Sequence, residues 1–259
     1  MQLSFCQNRV TLVIERIASM RYYIGTSGWH YDHWRGEFYP KDMAKSRWLD
    51  FYSRHFTTVE LNNSFYRLPS EKAFINWKHS SPPGFVFAVK VSRFITHIRR
   101  LRGIEEPMAN FMARAQFLGG KMGPFLYQLP PNMKRDIELL EDFIRILPED
   151  TSHVIEFRHP SWFDDRVFDL LRRNNIGFCI YDMPDCNTPV IATSDTAYLR
   201  FHGSHQLYAS CYSDKELVGW AKKIPELGAG MVFAYFNNDA EGFAIRNAMT
   251  LENLLKVKR

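Results

Sequence analysis

Cysteine is scarce in this chain of 259 residues, which contains only four, and no two of them form a CxxC pair. Because zinc and redox sites commonly use such pairs, neither type of site is predicted. We interpret the cysteines as reduced thiols, which are typical of a cytoplasmic protein. No apolar run approaches the roughly 20 residues that a membrane-spanning helix needs, so no membrane partner is expected.

The chain also has little excess charge. Lysine and arginine number 33 against 28 aspartates and glutamates, which gives a formal net charge of +5. This balance favours an anionic partner, and we expect a small anionic substrate or ligand. Nucleic acid stays as an alternative partner, because the segment RFITHIRRLRG at residues 93–103 concentrates arginines.

No GxGxxG phosphate turn occurs near the first strand, where the loop reads GTSGW, and this counts against an open dinucleotide-binding sheet. Instead, eight short runs rich in β-branched and aromatic residues recur, with helical patterns between them. They are YYIGT, TTVELN, GFVFAVKV, PFLYQLP, HVIEFRH, GFCIYD, AYLRFHG and GMVFAYFNN. Eight strand–helix units predict a single (β/α)8 TIM-type barrel, an α/β fold.

The barrel is predicted over residues 21–259. Residues 1–20 mix charges into a weakly apolar stretch, and we interpret them as a peripheral extension with Met20 as a candidate start of the native protein. Two helix starts are also predicted. Ser46 is a candidate N-cap, and Ser213 with Glu216 forms a candidate capping box.

Polar side chains follow almost every predicted strand. They are Ser27 and Trp29, Glu60 and Asn62, Lys90, Gln128, Glu156 and Arg158, Asp182, Arg200 and His202, and Asn237, Asn238 and Asp239. In such barrels the carboxyl ends of the strands meet at one mouth. Residues two apart in a strand share a face, so Glu156 and Arg158 are predicted as successive inward layers, with His159 at the outward turn.

A purely structural reading of these charges pairs Glu60 with Lys90, Glu156 with Arg158, and Asp182 with Arg200. Each pair would satisfy charges that are costly to bury alone. Because polar ends on nearly all strands gather at one rim, we favour a ligand site over a purely structural network.

Several long motifs occur in a fixed order: IGTSGW, WRGEFYP, FTTVELNNSFYRLP, FAVKVSRFITH, LYQLPP, VIEFRHPSW, YLRFHG, YSDKEL and YFNNDAEGFAIRNA. Together they closely resemble domain-of-unknown-function family 72, the YecE-like proteins. The resemblance implies a TIM-type barrel with a polar mouth, and it implies no particular reaction. The positions that it carries over are Trp29, Glu60, Asn62, Tyr66, Lys90, Gln128, Glu156, Arg158, His159, Arg200, His202 and Asn237.

The favoured hypothesis is a hydrolase or lyase that acts on a phosphate- or sugar-containing anionic substrate. Glu60 and Glu156 are predicted as general base and acid, with Lys90 and His202 as further catalytic residues. Arg158 and Arg200 are predicted to clamp the anion. The other predicted substrate-binding residues are Trp29, Asn62, Tyr66, Gln128, His159, Asp182 and Asn237.

Three alternatives stay open. No cofactor is expected, but Glu60, Glu156, Asp182 and His202 offer the ligands of a divalent metal, as in a metal-dependent isomerase or endonuclease-like barrel. A Schiff-base role for Lys90 requires a depressed lysine pKa, whereas nearby glutamates are expected to raise it. A non-enzymatic binder would stack bases on the mouth aromatics, which otherwise pin loops onto the barrel. Those aromatics are Trp29, His30, Tyr31, Trp34, Tyr66, Trp162 and Tyr208.

Overall fold

The structure, a computed structural model, describes residues 20–184 and 186–256. Each of the eight predicted runs overlaps a strand. The strands are β1 (Arg21–Thr26), β2 (Thr58–Leu61), β3 (Val86–Lys90), β4 (Met122–Gln128), β5 (His153–Glu156), β6 (Gly177–Met183), β7 (Cys186–Asn187), β8 (Thr196–Phe201) and β9 (Met231–Phe236). The short β7 is the one strand of this set that the sequence analysis did not predict.

Helices connect most of these strands. They span Trp48–Tyr52, Asn63–Tyr66, Glu71–His79, Glu105–Ala115, Ile137–Arg145, Asp165–Arg173, Asp214–Glu226 and Phe243–Lys256, and a π-helix spans Phe94–Ile98. Short 3-10 turns span Asp32–Trp34, Lys45–Arg47, Gln116–Lys121, Pro160–Trp162 and Ala240–Gly242. None of these helices is both long and apolar enough to cross a membrane.

The strands form a nearly closed parallel barrel, which confirms the predicted (β/α)8 fold. The order around the sheet is β1-β9-β8-β6-β5-β4-β3-β2. A single parallel bridge between Ser27 and Glu60 joins the two outer strands, β1 and β2. After β6, where a helix would usually follow, β7 instead pairs antiparallel with β6.

One of the two predicted helix starts is confirmed. The Ser213 hydroxyl accepts from the Glu216 amide, and the Glu216 carboxylate accepts from the Ser213 amide at 2.7 Å, so the capping box is present. The N-cap prediction at Ser46 is wrong, because Ser46 lies inside a 3-10 turn and the helix begins at Trp48. The predicted extension at residues 1–20 lies outside the described residues except for Met20.

Alternate strand residues point into the barrel and fill its lower half with apolar side chains. This interior cluster consists of Ala88, Leu126, Val154, Cys179, Tyr198, Phe233 and Tyr235. A larger apolar core lies between the strands and the helices. Moving two residues along several strands leads from the apolar layer to Lys90, Gln128, Glu156 and Arg200. These polar side chains therefore form the next layer toward the carboxyl ends of the strands, adjacent to the apolar interior cluster.

Candidate functional site at the barrel mouth

An open cavity of about 610 Å³ lies at the carboxyl ends of the strands. Its lining residues follow six different strands and so come from distant parts of the chain. They are Tyr31, His33, Asn62, Tyr66, Lys90, Gln128, Arg200, Tyr208, Asn237, Asp239 and Ala240. The structure thus brings together six of the predicted site residues, namely Asn62, Tyr66, Lys90, Gln128, Arg200 and Asn237.

Arg200 bridges two glutamates at the floor of this cavity. Its Nη2 atom donates to Oε1 of Glu60 at 2.8 Å, and its Nη1 atom donates to Oε2 of Glu156 at 2.7 Å. Arg200 is 1% exposed and both glutamates are 0% exposed. A charge is tolerated at such depth only when it is paired and hydrogen-bonded, and one guanidinium here serves two carboxylates.

Glu60 is held by neutral donors as well. Tyr198 donates its hydroxyl proton to Oε2 at 2.7 Å, while Ser27 and Asn62 donate to Oε1 at 2.8 Å and 3.0 Å. Burial acts to raise the pKa of Glu60, but Arg200 and Lys90 outweigh it and lower the pKa. Glu60 is therefore a charged acceptor at neutral pH, and it does not line the cavity.

Glu156 has two arginine partners. Besides Arg200, the Nε atom of Arg158 pairs with Oε1 of Glu156, which confirms the predicted ion pair between these two residues. Burial again acts to raise the pKa, but Arg158 and Arg200 together hold the pKa of Glu156 well below its usual range. Neither glutamate has a proton to donate near neutral pH, which counts against the predicted general-acid role.

The predicted arginine clamp is only partly available. Both guanidinium groups are engaged by carboxylates, and Nη2 of Arg158 also lies 3.1 Å from Nε2 of His202. His202 is buried, and its other ring nitrogen lies 3.2 Å from Nδ2 of Asn237. Burial, followed by Arg200 and Arg158, holds the pKa of His202 well below its usual range, so the imidazole is neutral.

Lys90 differs from these residues because it has no carboxylate partner. Within residues 20–184 and 186–256 no acidic side chain forms an ion pair with its Nζ atom, which lies 4.2 Å from the centre of the Phe65 ring. The residue is 8% exposed and lines the cavity. Burial and the charge of Arg200 lower its pKa to about 8. The expectation that the glutamates raise this pKa overall is wrong, because burial and Arg200 outweigh them.

Asp239 is the acidic residue among those that line the cavity. The indole nitrogen of Trp34 donates to its Oδ1 at 2.8 Å, and Nε2 of His33 lies 2.9 Å from its Oδ2. Burial raises the pKa of Asp239 to about 6, although Trp34 and His33 act to lower it. Asp239 was among the polar residues that follow the last predicted strand, but no individual role was predicted for this residue.

Two of the three ion pairs in the structural reading are wrong. Arg200 takes the place of Lys90 beside Glu60, and Asp182 does not pair with Arg200. Asp182 instead accepts from the indole nitrogen of Trp220 at 3.1 Å on the outer face of β6, and burial raises its pKa. The reason is the alternation along β6, where Cys179 and Tyr181 face inward and Asp182 therefore faces outward.

Two other predicted binding residues also lie away from the cavity. Trp29 is 7% exposed and packs edge-to-face on Trp77, with 5.7 Å between the ring centres. His159 caps the turn Pro160–Trp162, where its Nδ1 atom accepts from the Ser161 amide at 3.2 Å. Both residues have structural contacts that account for their positions.

Of the predicted mouth aromatics, only Tyr31, Tyr66 and Tyr208 line the cavity. Trp34 and Trp162 are fully buried, and His30 packs on Trp48 at 5.0 Å between ring centres. Most of these rings therefore pin loops onto the barrel, as the structural reading expected. Tyr66 differs from them because it is 74% exposed.

The alternative metal-ligand set is not assembled. Glu60 and Glu156 are occupied by arginines, Asp182 faces the outer helices, and His202 faces Arg158. In the part of the chain that the structure describes, no group of three or more His, Cys, Asp or Glu side chains is arranged to hold a metal ion.

Comparisons with known proteins agree on one family. Residues 23–259 match the model of a family described as protein of unknown function DUF72. The chain is 27% identical over 271 residues to the UPF0759 protein YunF of Bacillus subtilis, in an alignment that covers 91% of this chain and 95% of that protein. It is 31% identical over 116 residues to the UPF0759 protein YecE of Escherichia coli K12, covering 44% of this chain and 43% of that protein.

Solved structures agree with the family match. A DUF72 family protein from Thermotoga maritima superposes with a TM-score of 0.84 and 30% identity, covering 91% of this chain and 99% of that one. A DUF72 family protein from Enterococcus faecalis gives a TM-score of 0.79 at 20% identity, covering 91% and 95%, which shows a shared fold. The resemblance inferred from the sequence motifs is confirmed.

Proposed function

This chain belongs to the DUF72 family of proteins of unknown function, and we propose that its barrel mouth is an enzyme active site that works through the amine of Lys90. The proposed substrate is a small molecule with a carbonyl group and an anionic group. The proposed reaction class is that of a lyase, in which a lysine amine forms a Schiff base with the carbonyl carbon.

One observation carries this proposal: Lys90 lines the cavity without a carboxylate partner among the described residues, while both neighbouring glutamates are held by arginines. An amine with a pKa of about 8 is neutral in about one molecule in ten at pH 7, far more often than a free lysine. Only the neutral amine has the lone pair that attacks a carbonyl. The lowered pKa thus supports a nucleophile.

The anionic part of the substrate is supported by the charge of the same site. A buried ammonium without a counterion is unfavourable, and a ligand carboxylate or phosphate beside Lys90 would supply that counterion. Gln128, Asn237 and Tyr66 line the same cavity and carry hydrogen-bond donors for it. Of the two reaction classes that the sequence analysis favoured, hydrolase and lyase, we retain the lyase. Glu60 and Glu156 are assigned to holding Arg200 rather than to proton transfer.

Reductive trapping tests the proposal. The protein is incubated with glyceraldehyde 3-phosphate or pyruvate and sodium cyanoborohydride, and adducts are located by peptide mass spectrometry. We expect one dominant adduct on Lys90, and slower labelling by glyceraldehyde, which lacks the phosphate. Lys121 is the internal control, because its ammonium donates to the carbonyl oxygens of Lys78 and Ser81 at 2.6 Å and 2.5 Å.

K90R is the matched variant, since it keeps a positive charge and has no nucleophilic amine. We expect it to lose the dominant adduct while the weak labelling of surface lysines continues. Uniform labelling of all lysines in the unmodified protein, with no excess at Lys90, would contradict the proposal.

A further inference from the structure

Resting on the proposed function, we infer that Asp239 transfers protons for the Lys90 amine, giving one to the substrate oxygen and taking one from the amine nitrogen. The inference starts from placement. Asp239 is the acidic residue of the cavity lining within the described chain, whereas Glu60 and Glu156 lie beneath the lining. It follows β9, and β1 and β2 separate β9 from β3, which ends at Lys90. Both residues therefore face one cavity from different sides.

The side chain of Asp239 is fixed in position. Trp34, which is 0% exposed, donates to Oδ1 at 2.8 Å, so the carboxyl group cannot rotate without losing a buried hydrogen bond. On its other side, Nε2 of His33 lies 2.9 Å from both Oδ2 and the main-chain oxygen of Asp239. A carboxyl group held in one orientation at the wall of the cavity is suited to general acid–base catalysis, which needs a positioned side chain.

His33 also provides a route for protons between Asp239 and solvent. The side chain of His33 is 47% exposed and that of Asp239 is 14% exposed. We infer that a proton lost to the substrate is replaced from solvent through this imidazole. Neither Glu60 nor Glu156 has an equivalent neighbour, because both are enclosed by arginines and neutral hydrogen-bond donors.

The environment leaves Asp239 able to hold or release a proton near neutral pH. Burial raises its pKa to about 6, against the lowering effect of Trp34 and His33. The charge of Asp239 also acts on Tyr31 and Tyr39, and both tyrosines stay neutral because burial raises their pKa values. General acid–base residues are most effective when their pKa lies close to the working pH.

The proposed step balances as follows. The Nζ lone pair of neutral Lys90 forms a bond to the carbonyl carbon, and the carbonyl π pair moves to oxygen. Asp239 gives its proton to that oxygen and takes one from nitrogen, which yields a neutral carbinolamine. The nitrogen lone pair then forms the C=N bond as the C–O bond breaks, and the oxygen leaves as water with a proton from Asp239. The products are an iminium cation, water and the Asp239 carboxylate.

The test compares the unmodified protein, D239N and D182N over pH 5 to 9 in the Lys90 trapping assay with glyceraldehyde 3-phosphate. Rates are expressed as ratios to the unmodified protein at each pH, so that the pH dependence of the reductant cancels. We expect D239N to be at least tenfold slower near pH 6, and D182N to stay within twofold. D182N is the matched control because Asp182 also lies near the carboxyl end of a strand and its pKa is also raised by burial, but its side chain lies on the outer face against Trp220.

A direct measurement accompanies the rates. In protein with 13C-labelled aspartate carboxyl groups, one resonance should titrate near pH 6 and be absent from D239N. D239E should recover part of the lost rate, since it restores an acidic group. Circular dichroism confirms that each variant is folded before its rate is compared.

The outcomes separate this inference from the proposed function. Slow trapping in D239N together with the titrating resonance supports the inference. Trapping at Lys90 with equal rates and pH profiles in D239N and the unmodified protein overturns it and leaves the proposed function standing. No adduct on Lys90 in the unmodified protein overturns the proposed function and this inference with it.

Discussion

Glu156 and Asp239 are both largely buried carboxyl groups at strand ends of the same barrel, yet their pKa values move in opposite directions. Burial acts to raise both pKa values. Glu156 has two guanidinium partners that reverse the effect, whereas Asp239 has an indole N–H and an imidazole that only reduce it. The identity of the partner, rather than depth, decides which carboxyl group can exchange a proton at neutral pH.

The cations of the mouth divide in the same way. Arg200 is shared between two carboxylates, whereas Lys90 has none in the described residues. The mouth therefore contains a paired layer, in which carboxylates are matched with guanidinium groups, and two further charged residues that have no such match among the described residues and line the cavity. The paired layer consists of Glu60, Glu156, Arg158 and Arg200, and the two further residues are Lys90 and Asp239.

Replacing Arg200 by methionine breaks the paired layer most severely. R200M leaves Glu60 and Glu156 without their shared cation, and we expect the free energy of unfolding to fall by about 3–5 kcal/mol at pH 7 in urea denaturation. R172M is the control, because Arg172 pairs with Asp169 at 2.8 Å on the surface, where the expected loss is below about 1 kcal/mol. Equal losses in the two variants would show that the buried layer stabilises no more than a surface pair.

The free energies of unfolding of E156Q and D239N at several pH values test the difference between Glu156 and Asp239. The lowered pKa of Glu156 contributes stability above its ordinary value of 4.5, and this stability is lost as pH falls. E156Q should therefore be less stable at pH 7 by about 3 kcal/mol. The raised pKa of Asp239 contributes stability at low pH, which is lost as pH rises from 3.8 to about 6.

D239N should consequently gain stability relative to the unmodified protein between pH 4 and pH 7, whereas E156Q should lose it. Urea denaturation at pH 4, 5.5 and 7 measures both trends. If both variants shift in the same direction with pH, the two carboxyl groups do not differ as described.

The unpaired cation gives a third prediction. The folded protein binds a proton at Lys90 less tightly than the unfolded chain does, because its pKa falls from 10.5 to about 8. The charged amine therefore destabilises the fold increasingly as the pH falls from 10.5 to about 8, and K90M should gain about 3 kcal/mol at pH 7. K121M should instead lose about 1 kcal/mol, because Lys121 donates three hydrogen bonds. A loss of stability in K90M would indicate a stabilising partner for Lys90.

The last prediction concerns the smallest difference in stability, which is the difference between the losses of two tyrosine hydroxyl groups. Y198F removes a hydrogen bond to the Glu60 carboxylate at 2.7 Å, and bonds to charged groups contribute about 1.5 kcal/mol or more. Y127F removes a bond of 3.0 Å to the neutral ring of His153, and about 1 kcal/mol is expected there. Thermal unfolding of both variants measures the difference. A larger loss in Y127F would contradict the charge-based ranking.

Local sequence patterns were sufficient to predict the barrel. Each predicted run overlaps a strand, because buried parallel strands are short apolar segments whose signal is local. The ion pair between Glu156 and Arg158 also followed from the two-residue repeat. Applied to β6 from Cys179, the same repeat would have placed Asp182 on the outer face.

Partner choice could not be predicted in this way. Glu60 pairs with Arg200, which lies 140 residues away along the chain, and no local pattern distinguishes Arg200 from Lys90 as its partner. Trp29 was assigned to the site from its loop position, but it packs against Trp77, which lies 48 residues later in the helix Glu71–His79. Such contacts depend on how the strands are staggered around the barrel, and that stagger is not encoded in any single segment.

The one bridge between β1 and β2 gives Glu60 a mechanical role in addition to its electrostatic one. Its backbone forms the bridge with Ser27, and its carboxylate also accepts a hydrogen bond from the Ser27 hydroxyl group at 2.8 Å. Glu60 therefore joins β1 to β2 at the point where the barrel closes, and it also holds the guanidinium group of Arg200. Separation of the strands at this bridge would also disturb the ion pair with Arg200, so strand closure and the charge arrangement above it are linked through Glu60.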